Sequence, residues 1–268
     1  METLAVVILA FYAIGYFVLG GADIGTGMIL PVLARARGER RLVVAAIVPF
    51  FLTSEVWLIA TAGVIIGLFP ALEGELFSGW FPLIVALVSG WVARDAGVWL
   101  RGRVDGDGRG ARGWLSGCDV AVTAGSWLVA GSWAWIFASA IAGVTDRVVT
   151  DPVVLVAIAA VLTLFALHGL AFAALRLDGE LRRRAIGWFG MAGEARTFAL
   201  TSGVMAGLVV ATGTQMPVRG AVAAVSTLEW LVPAILALTL PIVTGQIWAW
   251  RLFGHRIRAG ARAAQPPR

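Results

Sequence analysis

Three carboxylates stand inside runs of otherwise apolar residues, and they are the groups in this sequence best placed to do chemistry. Asp23 lies in Gly20-Gly21-Ala22-Asp23-Ile24-Gly25-Thr26-Gly27, Glu55 in Leu52-Thr53-Ser54-Glu55-Val56-Trp57, and Asp119 in Gly117-Cys118-Asp119-Val120. An ionisable group in an apolar span is costly unless it has partners, so such groups face a bundle interior and often mark proton or ion paths. At 1.5 Å per helical residue, Asp23 lies about 15 Å in from the Arg-rich turn that follows it, Glu55 about 20 Å in from that turn, and Asp119 about 7 Å in from Trp114. Groups at successive depths that bind and release protons, with water between them, are what a proton-uptake path needs. The alternative is a satisfied structural network in which Asp23 is bonded to Thr26, Thr53, Ser54 or a nearby backbone group. Both readings stand at this point.

The remaining candidates read as structural. His168 is alone in its apolar run; haem ligation is the sharper reading, and a hydrogen-bonded buried imidazole the favoured one. Arg94-Asp95 reads as a local ion pair or interfacial anchor, and Glu194 with Arg196 similarly. Met205 and Met216 read as packing or lipid-facing residues. Cys118 is the single cysteine, and the chain has two histidines, too few for it to ligate several haems. The sequence offers no catalytic residue of its own and no metal site.

These residues need apolar elements to hold them. The chain has 268 residues, 59% hydrophobic, with a mean hydropathy of +0.87. Apolar runs of about twenty residues or more are membrane-span candidates. Seven are predicted, at about 4–33, 42–70, 77–100, 115–143, 152–176, 189–212 and 222–253. The net charge of +5 does not point to nucleic acid, because the arginines sit in short loops between the spans. Arg35, Arg37, Arg40 and Arg41 follow the first span; Arg101, Arg103, Arg109 and Arg112 the third; Arg176, Arg182, Arg183 and Arg184 the fifth; Arg251, Arg256, Arg258 and Arg262 the seventh. Alternate loops are poor in Arg, which predicts an outside N-terminus and an inside C-terminus. Met1-Glu2-Thr3 lacks the basic start of a cleaved signal peptide, so the first run is expected to stay as a helix. Trp99, Trp114, Trp188, Trp248 and Trp250 are expected at the inner interface, and Trp80, Trp133, Trp135 and Trp230 at the outer one. The Gly-rich stretch 103–113 lacks the Lys-Ser/Thr end of a phosphate loop and reads as a linker.

One stretch also resembles a known family. Gly21, Asp23, Gly25 and Gly27 form a G-x-D-x-G-x-G pattern, followed by Glu39-Arg40-Arg41, Pro49 and, eight residues on, Trp57 in Val56-Trp57-Leu58-Ile59. In this order and spacing the residues resemble subunit II of cytochrome bd quinol oxidase. The likeness continues through Phe77-Ser78-Gly79 at the opening of span three, Asp119 with Gly125-Ser126, Asp151-Pro152, Gly179-Glu180-Leu181 and Trp248-Ala249-Trp250-Arg251-Leu252-Phe253-Gly254. It fits residues 1–185 and 240–258, with the chain about two helices shorter than a typical member between them.

The resemblance implies an all-α integral membrane protein: a first four-helix bundle over 1–143, a shortened three-helix bundle over 144–258, and a cytoplasmic tail over 259–268. It implies a haem-free subunit in a heterodimer with subunit I, which holds haem b and haem d, oxidises quinol and reduces oxygen. This chain would scaffold that partner in the bacterial cell membrane, contact lipid and quinone, hold no haem itself, and supply a proton path through Asp23, Glu55 and Asp119. A quinone or lipid bound to this chain also fits. Gly21, Gly25, Gly27, Arg40, Arg41 and Trp57 are the structural motif. A second reading is a degenerate paralogue that keeps the fold as an accessory protein or permease without oxidase activity. The family's carboxylate associated with proton uptake is Leu52 here, and Glu55, one helical turn further on, is expected to point in much the same direction and to take its place.

Overall fold

The computed structural model describes residues 1–104, 108–188 and 193–257. The middle of the Gly-rich stretch, Arg258, Arg262 and the 259–268 tail lie outside the described residues. The helices are α1 (Glu2–Leu33), α2 (Arg37–Leu68), α3 (Pro70–Gly79), α4 (Phe81–Arg101), α5 (Arg109–Ile141), α6 (Pro152–Arg176), α7 (Gly179–Ile186), α8 (Glu194–Gln215) and α9 (Val225–Phe253). Among the described residues, seven of these are long and apolar enough to cross a membrane: all but α3 and α7. The one extended contact described is an isolated bridge between Leu177 and Ile257.

Local sequence explains where the helices start. Proline stands in the first turn of α3, α4 and α6, where its missing N–H costs nothing. Pro82 therefore restarts the chain after Trp80. Phe77-Ser78-Gly79 closes the short helix α3 rather than opening the third span, so that span begins at Phe81. The sixth span is likewise displaced, to Glu194–Gln215. At the α1–α2 turn, Glu39 Oε2 accepts from the backbone N–H groups of Arg35 and Ala36 at 2.8 and 3.0 Å. It thus satisfies donors that the start of α2 leaves open.

Helix α1 is the centre of the fold, packing on α2, α5, α6 and α8 and buried almost continuously from Tyr16 to Leu30. The glycine pattern sets these crossings. A Cβ on Gly25 would overlap the Phe165 carbonyl of α6, one on Gly169 would overlap the Gly25 backbone, and one on Gly27 would overlap Ser126 of α5. Gly21 lies under Met205 of α8. Small residues let helix backbones approach closely where the solvent gives no hydrophobic drive. Trp57 packs over Gly15, and its Nε1 donates to Gln246 Oε1 of α9 at 3.3 Å.

The Arg-rich turns share one end of the bundle, fastened by ion pairs. Arg184 Nη1 meets Glu39 at 2.9 Å, and Glu194 holds Arg182 and Arg256 at 2.8 and 2.7 Å. Glu194 thus reaches across the turns rather than to Arg196. The other end is closed by Thr145 on Glu75, Trp135 Nε1 on the Val149 carbonyl and the Ala223 N–H on the Leu68 carbonyl. The tryptophans depart in part from a simple belt. Trp99, Trp114, Trp188, Trp230 and Trp248 are exposed, but Trp80 is buried and Trp250 packs inward on Phe50 and Phe172.

Candidate functional site

Helix α4 presents Trp91, Arg94 and Asp95, spaced i, i+3 and i+4 and so on one face, towards α1 and α2. Arg94 is 3% exposed and Asp23 1%. Arg94 Nη2 donates to Asp23 Oδ1 at 2.7 Å, and its Nη1 lies 3.4 Å from Asp95 Oδ1. Trp91 Nε1 donates to Glu55 Oε1 at 3.1 Å, which brings Glu55 to the helix face that carries Arg94 and Asp95. Tyr16, one face of α1 with Asp23, accepts from Trp133 Nε1 at 3.1 Å.

These groups border a small cavity lined by Tyr16, Asp23, Ser54, Glu55, Trp91 and Arg94 among others. It offers about 10 Å³ to the centre of a water molecule, room for about one. Asp23 Oδ2 and Arg94 Nε are buried and have no hydrogen-bond partner among the described residues. A buried, unsatisfied charged oxygen is costly, and a polar cavity beside it is where a water finds the partners it needs.

Arg94 therefore does more than anchor Asp95: it crosses the bundle and neutralises Asp23. A lone buried carboxylate in apolar surroundings calls for a cation, and Arg94 lies seven residues in from Arg101, about 10 Å along the helix. That depth is the signal that singles it out. Of the hydroxyls expected around Asp23, those of Thr26 and Thr53 are engaged elsewhere, whereas Ser54 lines the same cavity as Asp23. Thr26 Oγ1 donates to the Ala22 and Gly169 carbonyls, and Thr53 and Ser54 donate to the Phe50 carbonyl. Leu52 is exposed on a stripe with Val56 and Ile59, and Glu55 stands at the edge of that stripe, turned to Trp91.

Asp119 is not part of this cluster. It pairs with Arg101 Nε at 2.6 Å and Arg40 Nη1 at 3.5 Å, at the Arg-rich end. Gly125, six residues on, packs against Arg94, which separates Asp119 from the cluster by about 9 Å along α5. A groove of about 340 Å³ opens beside it, between Arg40 and Asp119 with Leu30, Pro31 and Val120 as apolar walls. Arg40 thus has a direct charge partner, whereas Arg41 is exposed.

His168 is engaged at both nitrogens. Nδ1 meets Thr201 Oγ1 at 2.7 Å, Nε2 meets the Val18 carbonyl at 2.9 Å, and the ring stacks on Phe198. It presents no free nitrogen to a haem iron. Met205 is packed on Gly21. These residues do not make a haem site.

Fold and site together define a multi-pass helical membrane protein with a paired, ionisable interior. The sequence matches the family described as cytochrome bd terminal oxidase subunit II over residues 1–252, and the chain belongs to that family. It is 33% identical over 99 residues to the cytochrome bd ubiquinol oxidase subunit 2 of Bacillus subtilis, covering 37% of this chain and 29% of that relative. It is 30% identical over 92 residues to a probable cytochrome oxidase subunit 2 of Haemophilus influenzae, and 29% identical over 92 residues to the cytochrome bd-I ubiquinol oxidase subunit 2 of Escherichia coli K12; each match covers 34% of this chain and 24% of the relative. The matches thus span less than a third of the length of these curated relatives.

Proposed function

We propose that this chain is the haem-free second subunit of a membrane quinol:oxygen oxidoreductase. It scaffolds a haem-bearing subunit I in a heterodimer and carries protons inward from the Arg-rich, cytoplasmic side. The single observation that supports this most is the Asp23–Arg94 pair with Glu55 and Asp95 beside it, set in the family's own glycine motif and bordering a polar cavity. Chemistry on haem b and haem d belongs to the partner; this chain's residues hold and move protons. Asp119, on the Arg-rich end, is the first acceptor, and the Asp23 cluster the inner one. In this reading the first bundle, 1–143, carries the path, and 144–258 braces it through α6, α8 and α9. Exposed apolar faces such as Val153, Val156, Trp230, Leu238 and Leu240 meet lipid or the partner.

Affinity purification of the tagged chain from membranes tests the association. A haem-bearing partner with b- and d-type absorbance is expected to co-purify. A colourless chain, purified from cells that make such a partner, would contradict it. Tags after Arg268 and near Asp146 test the orientation: the first should report cytoplasm and the second the outside.

A further inference from the structure

We propose that the groove beside Asp119 is a site for one anionic phospholipid, with Arg40 taking the headgroup phosphate and the apolar walls taking an acyl chain. The site stands apart from the proton path proposed above, and its test reads bound lipid rather than turnover.

The position of the groove sets what can enter it. Its α5 wall runs from Asp119 to Ala124, and its α1 wall is Leu30 and Pro31, just before that helix ends at Leu33. Trp114 is exposed, and its Nε1 donates to the Leu100 carbonyl at 3.0 Å. A tryptophan so placed marks the boundary between headgroups and hydrocarbon. Counted from it, Asp119 to Ala124 lie about 7 to 15 Å along the helix. The groove therefore starts beneath the headgroups and leads into the apolar layer. About one turn beyond Ala124, Trp127 Nε1 donates to the Met28 carbonyl at 3.1 Å. That bond ties α5 to α1 and closes the deep end. Val120 is 63% exposed, so the flank is open. The volume of about 340 Å³ falls in the range of small-ligand sites, about 300–1,000 Å³.

Charge selects the occupant. Two guanidinium groups share one carboxylate at the mouth: Arg101 Nε meets Asp119 Oδ1 at 2.6 Å, and Arg40 Nη1 stands 3.5 Å from Oδ2. Two cations and one anion leave one positive charge in surplus. The Arg101 side chain is 9% exposed and that of Arg40 31%, so the surplus lies on Arg40, at the groove. Arg40 Nε points to the Ala34 carbonyl at 3.4 Å. Those two contacts leave further guanidinium donors for a phosphate. Asp119 would repel a phosphate, but both its oxygens are already turned to arginines. Arg37 and Arg41, exposed one turn away on α2, add to the positive field. A free phosphate would gain nothing from Leu30, Pro31 and Val120, and a neutral quinone nothing from the surplus charge. A zwitterionic lipid brings its own ammonium into a cluster of arginines. A lipid with a net negative headgroup gains at both ends, as in other basic pockets between helices at a membrane surface.

The test is native mass spectrometry of the delipidated, detergent-purified complex, titrated with dioleoylphosphatidylglycerol or dioleoylphosphatidylcholine. The wild type is expected to hold one phosphatidylglycerol at least about fivefold more tightly than phosphatidylcholine. Arg40→Gln should weaken that step about fivefold, the effect of one arginine near an anionic headgroup. Ala124→Phe fills the groove, keeps every charge and should abolish the step. Arg37→Gln removes an equal charge outside the groove and should stay near the wild type. Equal weakening in Arg37→Gln and Arg40→Gln would mean attraction to a charged surface without a site. Loss in Ala124→Phe alone would give the groove to an uncharged occupant such as a quinone. Loss in Arg40→Gln alone would mean a phosphate held without its acyl chain, and retention in both would place the lipid elsewhere. Each of these four results overturns the proposal, and none touches the proton-path reading. If Ala124→Phe does not assemble, Val120→Trp at the open flank blocks the chain in its place.

Discussion

Helix α1 has two unlike sides. Towards α6 it is in backbone contact through Gly25 and Gly169, and the polar groups along that seam are satisfied: Thr26 bonds the Gly169 carbonyl, and His168 bonds Thr201 and the Val18 carbonyl. Towards α4 the approach is made by long side chains, Arg94 to Asp23 from α1 and Trp91 to Glu55 from α2, around a cavity where one carboxylate oxygen has no hydrogen-bond partner among the described residues. Helix α4 itself rests on α5 through Gly90, Gly97 and Gly125. The chain thus has the means to pack helices tightly and does so on both flanks of the gap. A buried polar group whose every atom is matched reads as a brace. One left partly unmatched beside a cavity reads as a working group.

The largest effect should come from forcing the tight seam apart. Gly25→Leu places a branched side chain on the Phe165 backbone, and a loss of more than about 3 kcal/mol is expected for such overpacking. In practice the variant should be absent from membranes or melt far below the wild type in detergent. Wild-type melting would mean that the seam is loose and the contrast false.

Next in size is the polar seam. Arg94→Met leaves Asp23 buried and unpaired, which costs about 3–5 kcal/mol. The double variant Asp23→Asn/Arg94→Met removes both charges and should recover much of that loss. A double-mutant cycle on melting measures this coupling, and equal losses in the single and double variants would refute the pairing.

His168 sharpens the contrast from the braced side. His168→Leu removes two hydrogen bonds and should cost about 1–3 kcal/mol in stability. The haem spectrum and turnover of the complex are expected to be unchanged. A lost haem band would make His168 a ligand after all.

The smallest effect lies on the surface. Glu180 on α7 is held below the usual carboxylate value of 4.5 by Arg183 foremost, with Arg184 behind it. A carboxylate with a depressed folded-state pKa stabilises above its unfolded value, and that contribution is lost as pH falls through the folded value. Glu180→Gln should therefore lower the melting midpoint slightly at neutral pH and match the wild type once pH is well below 4.5. A gap that widens on acidification would reverse the sign.

Much of this was legible in the sequence, and the remainder failed for identifiable reasons. Span number followed from apolar run length, and the common end of the Arg-rich turns from their alternation. Asp23 and Glu55 stood out because a charge in an apolar run needs a reason, and the structure brings both to one cavity. Asp119 stood out equally, yet it belongs with Arg101 and Arg40 at the rim. Along-helix depth ranks residues without saying which helix faces which. Arg94 was read with its neighbour Asp95, since adjacency is visible in a sequence and a partner 71 residues away is not. The third span starts four residues later than expected because Phe77-Ser78-Gly79 ends α3 instead of opening the span, and Pro82 in the first turn of α4 marks the restart.

Oxygen consumption by the assembled complex carrying Glu55→Gln, followed from about pH 6 to about pH 8, tests the central claim most directly. Gln keeps the shape and can still accept from Trp91, but it cannot exchange a proton. Assembly and haem content equal to the wild type, with turnover slowed across the range, is the expected result. Glu55→Gln respiring at the wild-type rate throughout would show that Glu55 is a structural partner of Trp91 and that protons take another route.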